Sequence, residues 1–325
     1  MDVETAAVAD RYRRFASTEA PGRSDLYASW AHRVADDAEL SGILSSLPSP
    51  HRQPPLVFAV TRLLGSGDVA ADAWAAWFRE HADAVVRECG HRAIQTNEPL
   101  RCAALLPELT RVEGPIALLE IGASAGLCLY PDRYSYRYVG SDGEFRLDPV
   151  DGPSSVELVC EVRGDRMPEV VMPDVVWRAG IDLNPLDVTD PRDVDWLAGL
   201  AWPGETGRAD RIRAAARIAA ADPPHLSAGD AFERLSEVSA AAPADATLVV
   251  TTPGVLVHVP RAGRGALIEA VRAAGRWITI DAIGTHDGWA PGEPDAASSG
   301  FAVALDGRIH AFADPLGGWW EWRHG

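Results

Sequence analysis

Residues 114–126 read Gly114-Pro115-Ile116-Ala117-Leu118-Leu119-Glu120-Ile121-Gly122-Ala123-Ser124-Ala125-Gly126. Six residues after the Gly-Pro break are apolar except Glu120, and a turn of small residues follows. A short, continuous apolar run of this kind is a strand buried on both faces, as in a parallel sheet. Small residues in the turn let the backbone approach a ligand, and Leu127 onward is expected to open a helix with N–H groups free for an anion. Strand, tight turn and helix in succession form the unit from which α/β folds are assembled.

Upstream, residues 3–109 carry a helical pattern, with apolar positions such as Leu26, Trp30 and Val34 three or four apart. The Pro21-Gly22 turn, the stretch 48–55 and Gly65-Ser66-Gly67 break it into short helices. Residues 1–110 are therefore expected to form an all-helical N-terminal domain, acting as a lid or substrate domain. Residues 111–325 are expected to form the α/β domain.

Within that domain Tyr134, Tyr136 and Tyr138 alternate toward Ser141-Asp142-Gly143, and Phe145 and Leu147 alternate back. Val156, Leu158, Cys160 and Val162 continue the pattern, so residues from about 133 to 163 read as an antiparallel β-hairpin insertion. Strands are then expected near 175–181, 248–251 and 277–283. Helices are expected around 210–221 and 265–274, the second closed by Gly275 as a C-cap. A last hairpin turns at Asp306-Gly307.

Composition narrows the function. The formal charge of −17, from 47 acidic and 30 basic side chains, repels nucleic-acid backbones and anionic membranes and leaves small molecules or proteins as partners. Every basic residue is Arg, which removes Schiff-base chemistry and the lysine of a P-loop. Cys89, Cys102, Cys128 and Cys160 form no C-x-x-C pair, so neither a metal site nor a disulfide scaffold is expected. With no signal-peptide pattern and no long apolar run, a cytoplasmic location is expected. Oligomeric state leaves no trace.

Two further acid-bearing segments follow the first: Gly180-Ile181-Asp182-Leu183-Asn184-Pro185, and Gly229-Asp230-Ala231-Phe232. A carboxylate ending a strand can accept both hydroxyls of a ribose. An acid beside a small residue can receive the exocyclic amine of an adenine while Phe232 packs on a ring. Taken singly, Asp182 also fits a helix N-cap and Asp230 a solvent-facing turn.

In order, the three segments resemble the first, second and third motifs of Rossmann-like S-adenosylmethionine-dependent methyltransferases. The resemblance implies that Glu120, Gly122, Ser124 and Gly126 hold the methionine end, Asp182 the ribose, and Asp230 and Ala231 the adenine. It implies S-adenosylmethionine as cofactor, an unidentified small-molecule acceptor, and a Rossmann-like sheet carrying the hairpin insertion. Gln95-Thr96-Asn97-Glu98, residues 120–127, Asp132-Arg133-Tyr134 and Trp202-Pro203 also resemble an uncharacterised bacterial family, over nearly the whole chain. Two features depart from the methyltransferase pattern: Ser124 stands where a glycine is common, and the first and second motifs are far apart.

Candidate catalytic residues are His258, beyond the strand near 248–251, with Glu98 and Arg101 just before the first strand. Asn97, Arg208 and Arg211 are candidates for the substrate, guanidinium groups suiting a carboxylate. Helix capping is the other role for residues 96–98, and surface pairing for the arginines. Two alternatives stand beside the methyltransferase. One is a non-catalytic protein that keeps the adenosyl pocket. The other is an α/β-hydrolase, since 122–126 fits G-x-S-x-G, with Ser124 as nucleophile and Asp281 and His310 completing the triad.

Overall fold

Caps and breakers set the helices of the first hundred residues. Side-chain oxygens of Asp2, Ser24 and Asp37 accept the N–H groups of Thr5, Tyr27 and Leu40 at 2.7, 3.2 and 3.2 Å, and so begin α1 (Val3–Thr18), α2 (Asp25–Ala35) and α3 (Ala38–Ser45). Pro54 brings its fixed φ to the first turn of α4 (Pro54–Leu63). After left-handed Gly65 and Gly67 come α5 (Ala71–Glu80) and α6 (Ala82–His91), and α7 (Arg101–Leu109) precedes the first strand.

The computed structural model describes residues 2–141, 143–293 and 300–323, and the chain divides into two compact units. The first comprises residues 1–96 and 190–213, the second 97–189 and 214–325. Segment 97–110, expected with the helical domain, falls in the second unit because α7 packs on strands. The first unit gains α8 (Pro191–Gly199), which Asp190 caps through Arg192 N at 2.9 Å. Its core is aromatic: the Phe58 ring lies 5.8 Å from Tyr12, 5.0 Å from Tyr27 and 5.5 Å from Trp74, and Trp30 stacks on Trp74 at 5.1 Å.

Among the described residues the second unit is built on one eleven-stranded mixed sheet, so the chain is an α/β protein. Its strands are β1 (Ile116–Ile121), β2 (Ser135–Gly140), β3 (Gly143–Leu147), β4 (Glu157–Arg163), β5 (Val175–Asp182) and β6 (His225–Ala228), then β7 (Thr247–Pro253), β8 (Arg276–Asp281), β9 (Phe301–Leu305), β10 (Arg308–Ala313) and β11 (Trp319–Trp322). The spatial order is β3-β2-β4-β11-β10-β9-β8-β7-β1-β5-β6. Strands β6, β5, β1, β7 and β8 are mutually parallel, whereas β9 runs against β8 and β10 against β9. After β1 the chain first builds β2 to β4 at the far end of the sheet, then lays β5 and β6 outward on one side of β1 and β7 and β8 on the other. The winding direction therefore reverses between β1 and β7, where open α/β sheets leave a crevice at their carboxyl ends.

Helices α10 (Ala231–Ala240) and α11 (Arg261–Ala274) bury Leu235, Val238, Leu267 and Ile268 against Leu119, Ile181 and Val250 of the sheet. A further helix, α9 (Arg208–Ala221), contains the boundary between the units.

Three readings are corrected. No α-helix follows Gly126. The chain makes 3-10 turns at Leu127–Leu129 and Pro131–Arg133, whose carbonyls at Leu127 and Pro131 accept the Tyr134 and Tyr136 hydroxyls at 2.6 and 2.5 Å. The 133–163 segment is antiparallel only in part. β2 and β3 pair antiparallel, but β4 runs parallel to β2 and joins the main sheet through β11; period-2 alternation is the same for both directions. Asp142, at the expected turn, lies outside the described residues. Gly275 caps α11 as expected, its N–H donating to the Val271 carbonyl at 3.1 Å; its backbone is extended, and a Cβ there would come within 2.4 Å of the Leu248 carbonyl oxygen. Finally, β6 and α10, absent from the sequence reading, flank Asp230. The last hairpin turns as expected, at left-handed Asp306 and Gly307.

Candidate functional site

The parallel strands bring three acids to one edge of the sheet. Glu120 lies near the end of β1, Asp182 ends β5, and Asp230 follows β6, on neighbouring strands in that order. Gly122 opens the β1 loop at φ 74°, followed by Ser124 at 53° and Gly126 at 74°. A left-handed Ser is uncommon, and partners hold this one in place. Ser124 N donates to Asp182 Oδ2 at 2.8 Å, and Asn184 N to Oδ1 of the same carboxylate at 2.8 Å. Asp182 is thus no helix N-cap; it fastens its own loop to that of β1.

Asn97 and Glu98 belong to this site rather than to a remote cap. Buried Asn97 donates to the Ala123 carbonyl at 3.1 Å and accepts Leu127 N at 3.0 Å, bracketing the glycine loop from both sides. Glu98 is fully buried and accepts Leu100 N at 3.0 Å, so part of its role is to order the start of α7. Arg101 donates to the Pro315 carbonyl at 2.9 Å. Its guanidinium passes so near Gly254 that a Cβ there would lie 3.3 Å from Nη2.

Two buried carboxyls feel that guanidinium. Burial pushes Glu120 well above the ordinary carboxylate range, with Arg101 opposing, and its Oε2 has no hydrogen-bond partner. Burial also pushes Asp281, ending β8, up to about 7, against the lowering effects of a Thr279 hydrogen bond, Arg101 and Arg264. Burial thus favours the neutral form of the Glu120 carboxyl, the form that can donate a hydrogen bond. Arg264 holds the surrounding loops by donating to the carbonyls of Val259 at 2.8 Å, Val257 at 3.0 Å and Thr285 at 2.5 Å.

Asp230 caps α10 by accepting Phe232 N at 2.8 Å through Oδ1. It is exposed, as are Leu183 (77%), Phe232 (47%) and Val257 (56%), which the topology sets after β5, β6 and β7 on the same edge. Ala231 is the first residue of α10, and exposed His258 ends the 3-10 turn after β7. Arg208 and Arg211 lie in the first unit, where Arg208 pairs with Glu205 at 2.6 Å.

The hydrolase triad is not brought together. Asp281 is level with Ala302 and Ala302 with Phe312, so His310 stands two strands across and two residues back, about 12 Å from Asp281. Its Nδ1 is bonded to Glu108. Asp281 attracted attention in the sequence only as a triad member. Its place beside Arg101 depends on β8 being the neighbour of β7, which no local pattern states. Among the described residues no group of three His, Cys, Asp or Glu side chains is arranged to hold a metal ion, and no helix is long and apolar enough to cross a membrane.

No curated protein and no solved structure matches the chain. A family model does match, over residues 9–322, and the chain accordingly belongs to the family described as "Uncharacterized protein conserved in bacteria (DUF2332)".

Proposed function

We propose that the carboxyl edge of the second unit binds S-adenosylmethionine and that the chain is a methyltransferase for a small-molecule acceptor. The observation that carries this reading is the reversal of winding at the β1 loop, with Glu120, Asp182 and Asp230 on successive strands beside it.

The residues present suit the cofactor. Each Asp182 oxygen takes one N–H and keeps a lone pair for a ribose hydroxyl. Asp230 keeps Oδ2 for an exocyclic amine, and exposed Leu183 and Phe232 offer apolar surface to a base. Glu120, whose buried Oε2 has no hydrogen-bond partner and whose carboxyl burial pushes upward, is available to the methionine end. The missing α-helix also discriminates. A pyrophosphate needs a helix N-terminus with free N–H groups, whereas here Ser124 N and Leu127 N are already taken by Asp182 and Asn97. That disfavours dinucleotides and leaves a phosphate-free adenosyl group unaffected.

When bound, the cofactor supplies an electrophilic methyl group on a sulfonium. The chain's part is to hold the loop rigid and align the acceptor, with exposed His258 as the candidate base and Arg101 fixing the charge around Glu120. A second reading, adenosyl binding without turnover, is favoured by the engagement of Glu98 and Arg101 in scaffold hydrogen bonds.

Calorimetry with S-adenosylmethionine and S-adenosylhomocysteine is expected to give micromolar binding. Asp182→Ala and Asp230→Ala should each weaken it roughly ten- to hundredfold, the worth of a hydrogen bond to a charged group. Asp182→Ala should also melt earlier, because Ser124 N and Asn184 N lose their acceptor. Absence of heat and of thermal shift at millimolar ligand would refute the cofactor, and fluorophosphonate labelling of Ser124 would favour the hydrolase.

A further inference from the structure

A second cluster of polar side chains lies away from the carboxyl edge and is used by none of the foregoing chemistry. Glu108, on α7, is completely buried, and its Oε2 accepts His310 Nδ1 at 2.7 Å with Arg111 Nε at 3.4 Å from the same oxygen. Its Oε1 is buried without a hydrogen-bond partner. A carboxylate on Nδ1 sets the imidazole as the Nδ1–H tautomer and leaves Nε2 as an acceptor. His310 lines a cavity of about 510 Å³, together with Arg308, Ile309, Glu293, Trp322 and Arg323. With Nδ1 engaged by Glu108, Nε2 is the ring nitrogen left for a ligand in that cavity.

The walls are held in place before any ligand arrives. Arg323 N donates to the His310 carbonyl at 2.9 Å, and the Arg323 guanidinium bonds Glu293 and the Ile309 carbonyl. Arg166 lies over the Trp322 ring at 4.5 Å. Arg308, on the rim, is exposed and has no ion-pair partner among the described residues, in a protein of net charge −17. A cavity of this size accommodates a small organic molecule.

We propose that this cavity is a second ligand site, for a small oxyanion that also carries a proton to donate. The anion would be held by Arg308 and the fixed guanidinium of Arg323, and its hydroxyl would donate to His310 Nε2. Hydroxy carboxylates and hydrogen phosphates both have this chemistry, and the metal-ligand role of a neutral imidazole is opposed by the two adjacent guanidinium groups. The site is independent of the adenosyl reading.

The test is calorimetric titration of the full chain with malate, with glycerol 3-phosphate and with inorganic phosphate, at low ionic strength and with chloride as control. Saturable binding of malate, of glycerol 3-phosphate or of inorganic phosphate, weakened roughly tenfold by Arg308→Gln and by His310→Phe, is expected; which of the three binds identifies the oxyanion. Arg308→Gln changes an exposed side chain, so loss of binding in that variant cannot be put down to unfolding. Binding that both variants retain, or no saturable heat with any of the three probes, would overturn the proposal.

Discussion

Replacing Asp281 by Asn is expected to flatten the pH dependence of stability between about pH 4 and pH 7. The folded protein holds this carboxyl's proton up to about 7, whereas the ordinary value is 3.8. Between these limits the native state binds more protons than the unfolded chain, so stability falls as pH rises through the window. Below it the full contribution is present, and above about 7 it is gone. A displacement of this size corresponds to about 4 kcal/mol. Asn keeps the shape and cannot ionise, so the variant should gain on the wild type as pH climbs and level off near neutrality. Urea titrations at several pH values give the comparison directly. A difference between the two proteins that stayed constant from pH 4 to 8 would show that Asp281 is not held protonated, and the description of the carboxyl edge would need revision.

The second large effect concerns Asp132, in the 3-10 turn where an α-helix was expected. Its Oδ2 lies 2.5 Å from Arg178 Nη2, and only 12% and 7% of the two side chains are exposed. Burial raises the Asp132 carboxyl, and the Arg178 charge opposes that rise. Arg178 also lies over the Tyr130 ring at 5.1 Å, and Tyr130 itself bonds the Asp222 carbonyl at 2.6 Å. Asp132→Ala leaves a buried guanidinium without its counter-charge, which costs about 3–5 kcal/mol. Removing both charges together, as Asp132→Ala with Arg178→Met, should recover most of the loss, because the desolvation penalty disappears with the pair. Thermal melts of the single and double variants would measure this coupling. Equal destabilisation by the two would assign the effect to lost packing instead.

Both predictions depend on groups whose partners lie far along the chain. Asp132 and Arg178 are 46 residues apart, and Arg101 reaches a carbonyl 214 residues away. Apolar spacing announced the helix through Leu26, Trp30 and Val34, but neither the aromatic packing around Phe58 nor the contact of Trp202 with Phe15, at 5.2 Å. Similarly, the three acids stood out because each ends an apolar run or precedes a small residue. The clamp by Asn97 did not: capping and loop-holding use the same residue type, and only the fold decides which N–H comes within reach.

Sequence alone determined the α/β class, the helical character of residues 3–91, the strand through Glu120 and the turn at Asp306-Gly307. Each is a local matter of apolar period, caps or a left-handed turn, written within about ten residues. Tertiary structure decided the direction of β4, the division of the units, the absence of an α-helix after Gly126 and the pairing of His310 with Glu108. Alternation is identical in parallel and antiparallel strands, and the tendency of residues 127–133 toward a helix yields to the tyrosine hydroxyls that claim their carbonyls. A buried acid takes whatever donor the completed sheet brings to it, and that donor is set by strand order, which no short stretch of sequence contains.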